Sequence, residues 1–174
     1  MKKVFSTAHI TLLCIGLWLW SLACSSTEQS PPEAHSQYTI ATDNYVVLAE
    51  KALTYQADFD WESWGNMLAD DVHYLPLDST SPFVGKKAVL TYWRNHRTQR
   101  QILSLRLSEC THIPLQLNRP SYAQGPQGVY VYTICRSEQR LQTGQNQIRH
   151  WVIHTHFNDQ KLIDRLSIYT NQVL

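Results

Sequence analysis

The spacing His150-x-x-x-His154-x-His156 puts three imidazoles on one face of a strand. At the usual rise per residue, His154 and His156 stand about 7 Å apart along it. Two histidines at i and i+2 can share a zinc ion, but further ligands must then come from neighbouring strands. None of those strands is expected to bring a Cys or Asp to that face. Arg165, expected opposite His154, repels both a metal and an imidazolium. The pattern argues for a polar outer face or a dimer seam, and against a metal centre. Two further groups carry chemistry. Asp164, between Ile163 and Arg165, breaks the apolar side of the last strand, and a buried carboxylate there needs a donor. Cys110 and Cys135 are thiols on consecutive strands.

Helices come first and strands after. Thr42 can cap a helix that runs to about Ala57, with Tyr45, Leu48, Ala49, Ala52, Leu53 and Gln56 along one face. Trp61, Trp64, Met67 and Leu68 recur at helical spacing, which predicts a second short helix ended by Asp70-Asp71. A strand is expected over Val72 to Leu75, then turn chemistry from Asp78 to Pro82. Gly85 precedes a third helix over about Lys86 to His96, with Val89, Tyr92, Trp93 and His96 as its stripe. Four long strands follow: Leu103 to about Ile113, Val129 to Cys135, Gln147 to Phe157 and Leu162 to Asn171. Gln139 to Gln145 reads as a polar loop and Asn158-Asp159-Gln160-Lys161 as a hairpin turn. Registered on that turn, Phe157 faces Leu162, Ile153 faces Leu166 and Trp151 faces Ile168. One side is then apolar, while the other carries His150, His154, His156, Arg165, Ser167 and Tyr169, the split of a half-buried antiparallel sheet. This order predicts an α+β fold with the helices covering one face of a curved antiparallel sheet.

The chain has 174 residues, 43% of them hydrophobic, and a formal net charge of +1 without blocks of like charge. That supports one domain with a sizeable core and excludes a dedicated nucleic-acid binder, which carries a basic patch or stripe. Six Trp and nine Tyr point to a packed aromatic core or to an aromatic-lined cavity or interface. Lys2 and Lys3 form a positive start, and Ile10 to Trp20 an apolar run too short to span a bilayer comfortably. Ser21-Leu22-Ala23-Cys24 then resembles a bacterial lipobox, although Ser21 stands where Leu is usual; ordinary cleavage after Ala23 also fits. The resemblance implies a signal peptide over 1–23, lipidation at Cys24, and a protein anchored to a membrane of the bacterial cell envelope, facing the periplasm or exterior. Residues 24–37, rich in Ser, Glu and Gln around Pro31-Pro32, read as a disordered tether, and 38–174 as the folded domain.

That domain resembles the nuclear transport factor 2-like superfamily, which includes SnoaL-like cyclases and ketosteroid isomerase. The stretches that carry the likeness are Asp60-Trp61, Leu68-Ala69-Asp70-Asp71-Val72, Gly85-Lys86-Lys87-Ala88-Val89, Tyr92-Trp93 and the closing Lys161 to Asn171. The resemblance implies a cone of three N-terminal helices closed over a strongly curved antiparallel sheet. It implies a cavity between them and, in many members, a homodimer through the outer sheet face. Trp61, Trp64, His73, Tyr74 and Trp93 are expected at the cavity, with Asp164 as its polar anchor or as a structural hydrogen bond near the strand end. On the isomerase pattern, the catalytic base falls at Pro76 and the oxyanion-holding tyrosine near Ala52. Proline takes no proton and alanine stabilises no enolate; Asp78 lies two residues from the base position and reads as a turn carboxylate. No catalytic residue, metal or cofactor is therefore assigned. The expected role is binding a small apolar or amphipathic molecule. The alternatives are a lyase, isomerase or cyclase using the same cavity, or a dimerising envelope interaction domain. In an oxidising compartment Cys110 and Cys135 can bridge. Whether they meet depends on a bulge, near Glu109 or Pro114, that would bring the leucines of one strand and the valines of the next to one face; otherwise they are separate buried thiols.

Overall fold

A computed structural model describes residues 36–76, 81–120 and 125–171. The stretch expected to be a signal peptide, Cys24, most of the expected tether and Asp78 lie outside them. The helices are α1 (Asn44–Ala57), α2 (Trp61–Gly65) and α3 (Lys86–Gln99). The strands are β1 (Tyr38–Ile40), β2 (Leu68–Leu75), β3 (Phe83–Val84), β4 (Ile102–Leu117), β5 (Gly128–Leu141), β6 (Asn146–Phe157) and β7 (Ile163–Asn171). They form one sheet in the order β1-β4-β5-β6-β7-β2-β3, antiparallel except where β2 runs parallel to β7. The helices cover one face of this curved sheet, so the fold is α+β as the order of patterns implies.

The second helix is shorter than its apolar period suggests. Asp60 caps it by accepting the Ser63 N–H at 3.0 Å, and this hydrogen bond lowers the Asp60 pKa. The helix stops at Gly65, where an added Cβ would come within 3.1 Å of Leu90 on α3. Leu68 is already strand and wholly buried, paired with Ile163 of β7. Asp70 and Asp71 therefore lie exposed in β2 rather than ending a helix, and Asp70 holds Lys86 at 3.0 Å. Tertiary pairing overrides a short helical period here, as it does for many ambiguous apolar runs. At α1, Asp43 rather than Thr42 is the N-cap, and no side chain caps the helix. The expected polar loop from Gln139 narrows, because β5 continues to Leu141 and β6 resumes at Asn146.

The β6–β7 hairpin turns where its sequence says. Asn158 accepts the Gln160 and Leu162 N–H groups, each at 3.0 Å. Its register differs by two residues: Ile153 faces Ile168, not Leu166, and Trp151 faces Thr170. From His156 to His150 that even shift leaves the paired side chains on their own faces, whereas nearer the turn Phe157 faces Ile163 rather than Leu162, a shift of one. Trp151, Ile153, Phe157, Leu166 and Ile168 are all buried in the core, while His150, Arg165 and Tyr169 face solvent. His154 is half-buried between Tyr132 and Tyr169, with ring centroids at 4.5 and 5.1 Å, and this burial lowers its pKa. His156 departs from the expectation of a solvent-facing imidazole: it is 3% exposed, beneath the Tyr130 ring at 4.4 Å.

A second bulge sets the face of β4. Ser108 pairs Arg136 and Thr111 pairs Ile134, so Glu109 and Cys110 together oppose Cys135. Glu109 takes a positive φ of 53° to do so. Before the bulge Leu105 and Leu107 face inward; beyond it the even-numbered His112 and Pro114 do, opposite Thr133 and Val131.

Candidate ligand site

Between helices and sheet, α2, α3, β2 and β6 each contribute one large ring to a common centre. Trp93 of α3 meets Trp64 edge-on at 6.1 Å, Tyr74 at 5.7 Å and Trp151 at 6.5 Å. Tilted and edge-to-face pairs of this kind add about 0.5–1.5 kcal/mol each beyond their burial. Trp61 stands at the rim, partly exposed, 6.2 Å from Trp64. Trp61, Trp64, Tyr74 and Trp93 thus lie together as one aromatic chain.

The structure does not bring His73 or Asp164 to that centre. Tyr74 points inward from β2, so its neighbour His73 points out, paired with Val84 and Arg165. Asp164 is the extra residue of a bulge in β7, since His156 pairs Arg165 and Phe157 pairs Ile163. The bulge turns its carboxylate to the outer face, where Oδ1 accepts from His156 Nδ1 at 2.5 Å. Of the two readings open for Asp164, the structural pair is the one the geometry matches.

The polar groups that do face the interior are others. Gln56 closes the buried stripe of α1 after Ala49, Ala52 and Leu53, and is 1% exposed. Neither its amide oxygen nor its amide nitrogen has a hydrogen-bond partner among the described residues, and the same holds for Trp93 Nε1. Leaving a buried donor or acceptor unmade costs about 1–3 kcal/mol, so each of these three atoms calls for a polar partner. Helical period alone places Gln56 on the buried face; its lack of a partner is visible only in three dimensions.

A groove of about 440 Å³ opens between α1 and β4. His112 lines it with Glu50, and its Nε2 lies 3.5 Å from the Glu50 carboxylate while Nδ1 meets the Thr133 hydroxyl at 2.9 Å. This chain of carboxylate, imidazole and hydroxyl was not legible in the sequence, because the β4 bulge decides which way His112 points. Cys110 lines the same groove; it and Cys135 are free thiols on opposing strands. At the isomerase positions, Ala52 is 4% exposed and Pro76 is buried, and neither supplies a titratable group. No group of three or more His, Cys, Asp or Glu side chains among the described residues is arranged to hold a metal.

No protein-family model matches the chain, and no curated protein matches it in sequence. Solved structures do match. A SnoaL-like polyketide cyclase from Shewanella denitrificans superposes with a TM-score of 0.56 at 9% identity, over 75% of this chain and 92% of that one. RV0760c from Mycobacterium tuberculosis, solved in complex with estradiol-17β-hemisuccinate, gives 0.53 at 18% identity, over 73% and 93%. The Δ5-3-ketosteroid isomerase from a Mycobacterium species gives 0.53 at 20%, over 73% and 92%. At these identities the likeness establishes the fold.

Proposed function

We propose, with the nuclear transport factor 2-like fold as premise, that this chain is an exported, lipid-anchored domain that binds a small, uncharged, largely apolar molecule in its aromatic interior. The observation that carries the binding reading is the set of unpartnered buried atoms on Gln56 and Trp93. An amide and an indole N–H, with no cation or carboxylate among them, suit a neutral ligand with a carbonyl or hydroxyl group on an apolar ring system. The steroid derivative in the complex of RV0760c has that kind of skeleton, and it motivates the choice of probe. Titration with a neutral steroid ketone, read by tryptophan fluorescence, tests the reading. Gln56→Leu should weaken binding about tenfold or more while raising stability measured without added steroid, because both orphaned amide atoms are gone. Equal affinity of Gln56→Leu and the parent, or no binding by the parent to neutral polycyclic probes, would overturn it.

A second reading, a lyase, isomerase or cyclase, is favoured by one arrangement: Glu50 and His112 line the α1–β4 groove, with the buried Thr133 hydroxyl on the other nitrogen of the imidazole. Mass analysis of the same probe after incubation separates binder from enzyme, since a binder returns it unchanged. Self-association through the outer sheet is supported by exposed apolar side chains there, with Ile113 41%, Ile134 47% and Tyr169 46% exposed. Sedimentation of the purified protein reads that state.

Anchoring rests on the charged start, the short apolar run and the Ala23-Cys24 order. Each buried methylene of an acyl chain contributes about 0.8 kcal/mol to membrane binding, so several chains anchor stably without crossing. Cells fed a clickable fatty acid should label the protein, and Cys24→Ala should abolish the label. A mature protein that begins at Cys24 without lipid would contradict this.

A further inference from the structure

Cys110 and Cys135 differ in every respect that governs thiol exchange. Cys110 is exposed in the α1–β4 groove, while Cys135 is 1% exposed behind it in the core. They oppose each other across the β4 bulge, close enough that each thiol influences the ionisation of the other. Neighbouring antiparallel strands stand about 4.7–4.9 Å apart, inside the roughly 4.4–6.8 Å Cα range of disulfides. The bulge supplies the remaining adjustment, since Glu109 and Cys110 are held by β4 without a regular ladder partner.

We propose that Cys110 and Cys135 are a reversible dithiol–disulfide couple that exchanges with external disulfides, Cys110 as the attacking thiol and Cys135 as the resolving one. In the first step Cys110, as thiolate, attacks one sulfur of the external disulfide. The external S–S bond breaks, one external thiol leaves and a mixed disulfide remains on Cys110. In the second step Cys135 gives up its proton and attacks the Cys110 sulfur, expelling the other external thiol. Two protein thiols have then lost two protons and two electrons, and the external disulfide has been reduced to two thiols. The direction follows from access and from thiolate supply, which control exchange rates. An external disulfide reaches Cys110 through the groove and does not reach Cys135. Burial pushes the Cys135 thiol up from an ordinary 9.0 to about 12, with the neighbouring Cys110 adding to it. At neutral pH that leaves its thiolate roughly a thousandfold scarcer than an ordinary thiol's, which makes the second step the slow one. Partial burial raises Cys110 as well, and the contact with Cys135 works in the opposite direction. Closing the bond would tie β4 to β5 at the groove's inner wall, beside His112.

The full chain is convenient for the test, because Arg119 precedes Pro120 and resists trypsin, so residues 107–136 carry both cysteines in one peptide. This separates them from Cys14 and Cys24. After incubation of the reduced protein with oxidised glutathione, that peptide should become lighter by two hydrogens, and reduced glutathione in excess should restore it. Cys135→Ser should instead accumulate one glutathione on Cys110. Cys110→Ser should leave Cys135 unmodified in the folded protein and modified in denaturant. In the reduced parent, iodoacetamide should label Cys110 at least about a hundredfold faster than Cys135. The parent measurement needs no variant to fold. Two thiols persisting in 107–136 under excess oxidised glutathione would overturn the proposal, as would equal glutathione loading of Cys135 in folded Cys110→Ser.

Discussion

Trp93→Ala should lower the stability of the domain by about 3–5 kcal/mol, the usual cost of emptying a buried Trp or Phe site. Trp93 is 7% exposed and is the one side chain at which α2, α3, β2 and β6 meet, through Trp64, Tyr74 and Trp151. Tyr92 and His96 lean on it from its own helix at 5.8 and 5.6 Å. Rings of this size cannot collapse into the space one of them leaves, so the cavity term adds to the lost burial. In a domain of this length each kcal/mol moves Tm by about 2–4 °C, giving a fall of about 6–20 °C. Trp93→Phe separates packing from polarity. It keeps a six-membered ring in the centre and removes the Nε1–H that has no partner among the described residues. The orphaned donor costs about 1–3 kcal/mol, so its removal should offset much of the lost contact. Thermal unfolding of the two variants, followed by near-UV circular dichroism, reads both. A Trp93→Ala protein unfolding within about 1 kcal/mol of the parent, the range of ordinary substitutions, would mean that the centre does not close on this ring.

Most of what carries the fold was legible because it is periodic. The α1 stripe, the α3 stripe and the alternation of β6 and β7 each repeat often enough to fix an element and a face. Trp93 follows from the α3 face, and in the structure Trp64 and Tyr74 pack against it, with Trp61 beside Trp64. What was not legible depends on single-residue insertions. A bulge is one unpaired residue with no compositional mark, yet it exchanges the two faces beyond it. The mismatch of leucines and valines called for a β4 bulge near Glu109 or Pro114, and its actual place at Glu109–Cys110 decides that His112 points toward Thr133 and that Cys110 lies opposite Cys135. The β7 bulge sends Asp164 away from the interior. Short elements failed for a related reason. β1 and β3 have three and two residues, too few to repeat a period, and α2 with five gives way to the β2–β7 pairing after one turn. Gln56 was placed on the right face by its period, but whether a buried amide is satisfied depends on every element around it.

Asp164→Ala should lower stability by about 2–4 kcal/mol, short of the roughly 3–5 lost when one partner of a fully buried ion pair is removed. The discount reflects the Asp164 side chain, which keeps 24% of its surface in water while that of His156 keeps 3%. His156 Nε2 lies 3.3 Å from the Gln127 carbonyl and Nδ1 faces the Asp164 carboxylate. Both partners are acceptors, so the buried ring is held between them through its two nitrogens. Gly128 makes room for it, with backbone so close to the ring that a Cβ would strike Nε2. Removing the carboxylate leaves the imidazole under Tyr130 with an unmatched nitrogen. The loss should appear as a lower urea midpoint with an unchanged slope, because the fold and its buried surface persist. Asp164→Asn keeps an acceptor without the charge and should fall between Ala and the parent. The double variant Asp164→Ala with His156→Phe is the sharper measurement. It removes both polar partners and leaves an apolar ring against Tyr130, a replacement that is often neutral for a buried pair. It should therefore be more stable than Asp164→Ala alone. A double variant that instead loses the sum of two single losses would show that His156 and Asp164 act independently, and that the bulge is held by its backbone rather than by the pair.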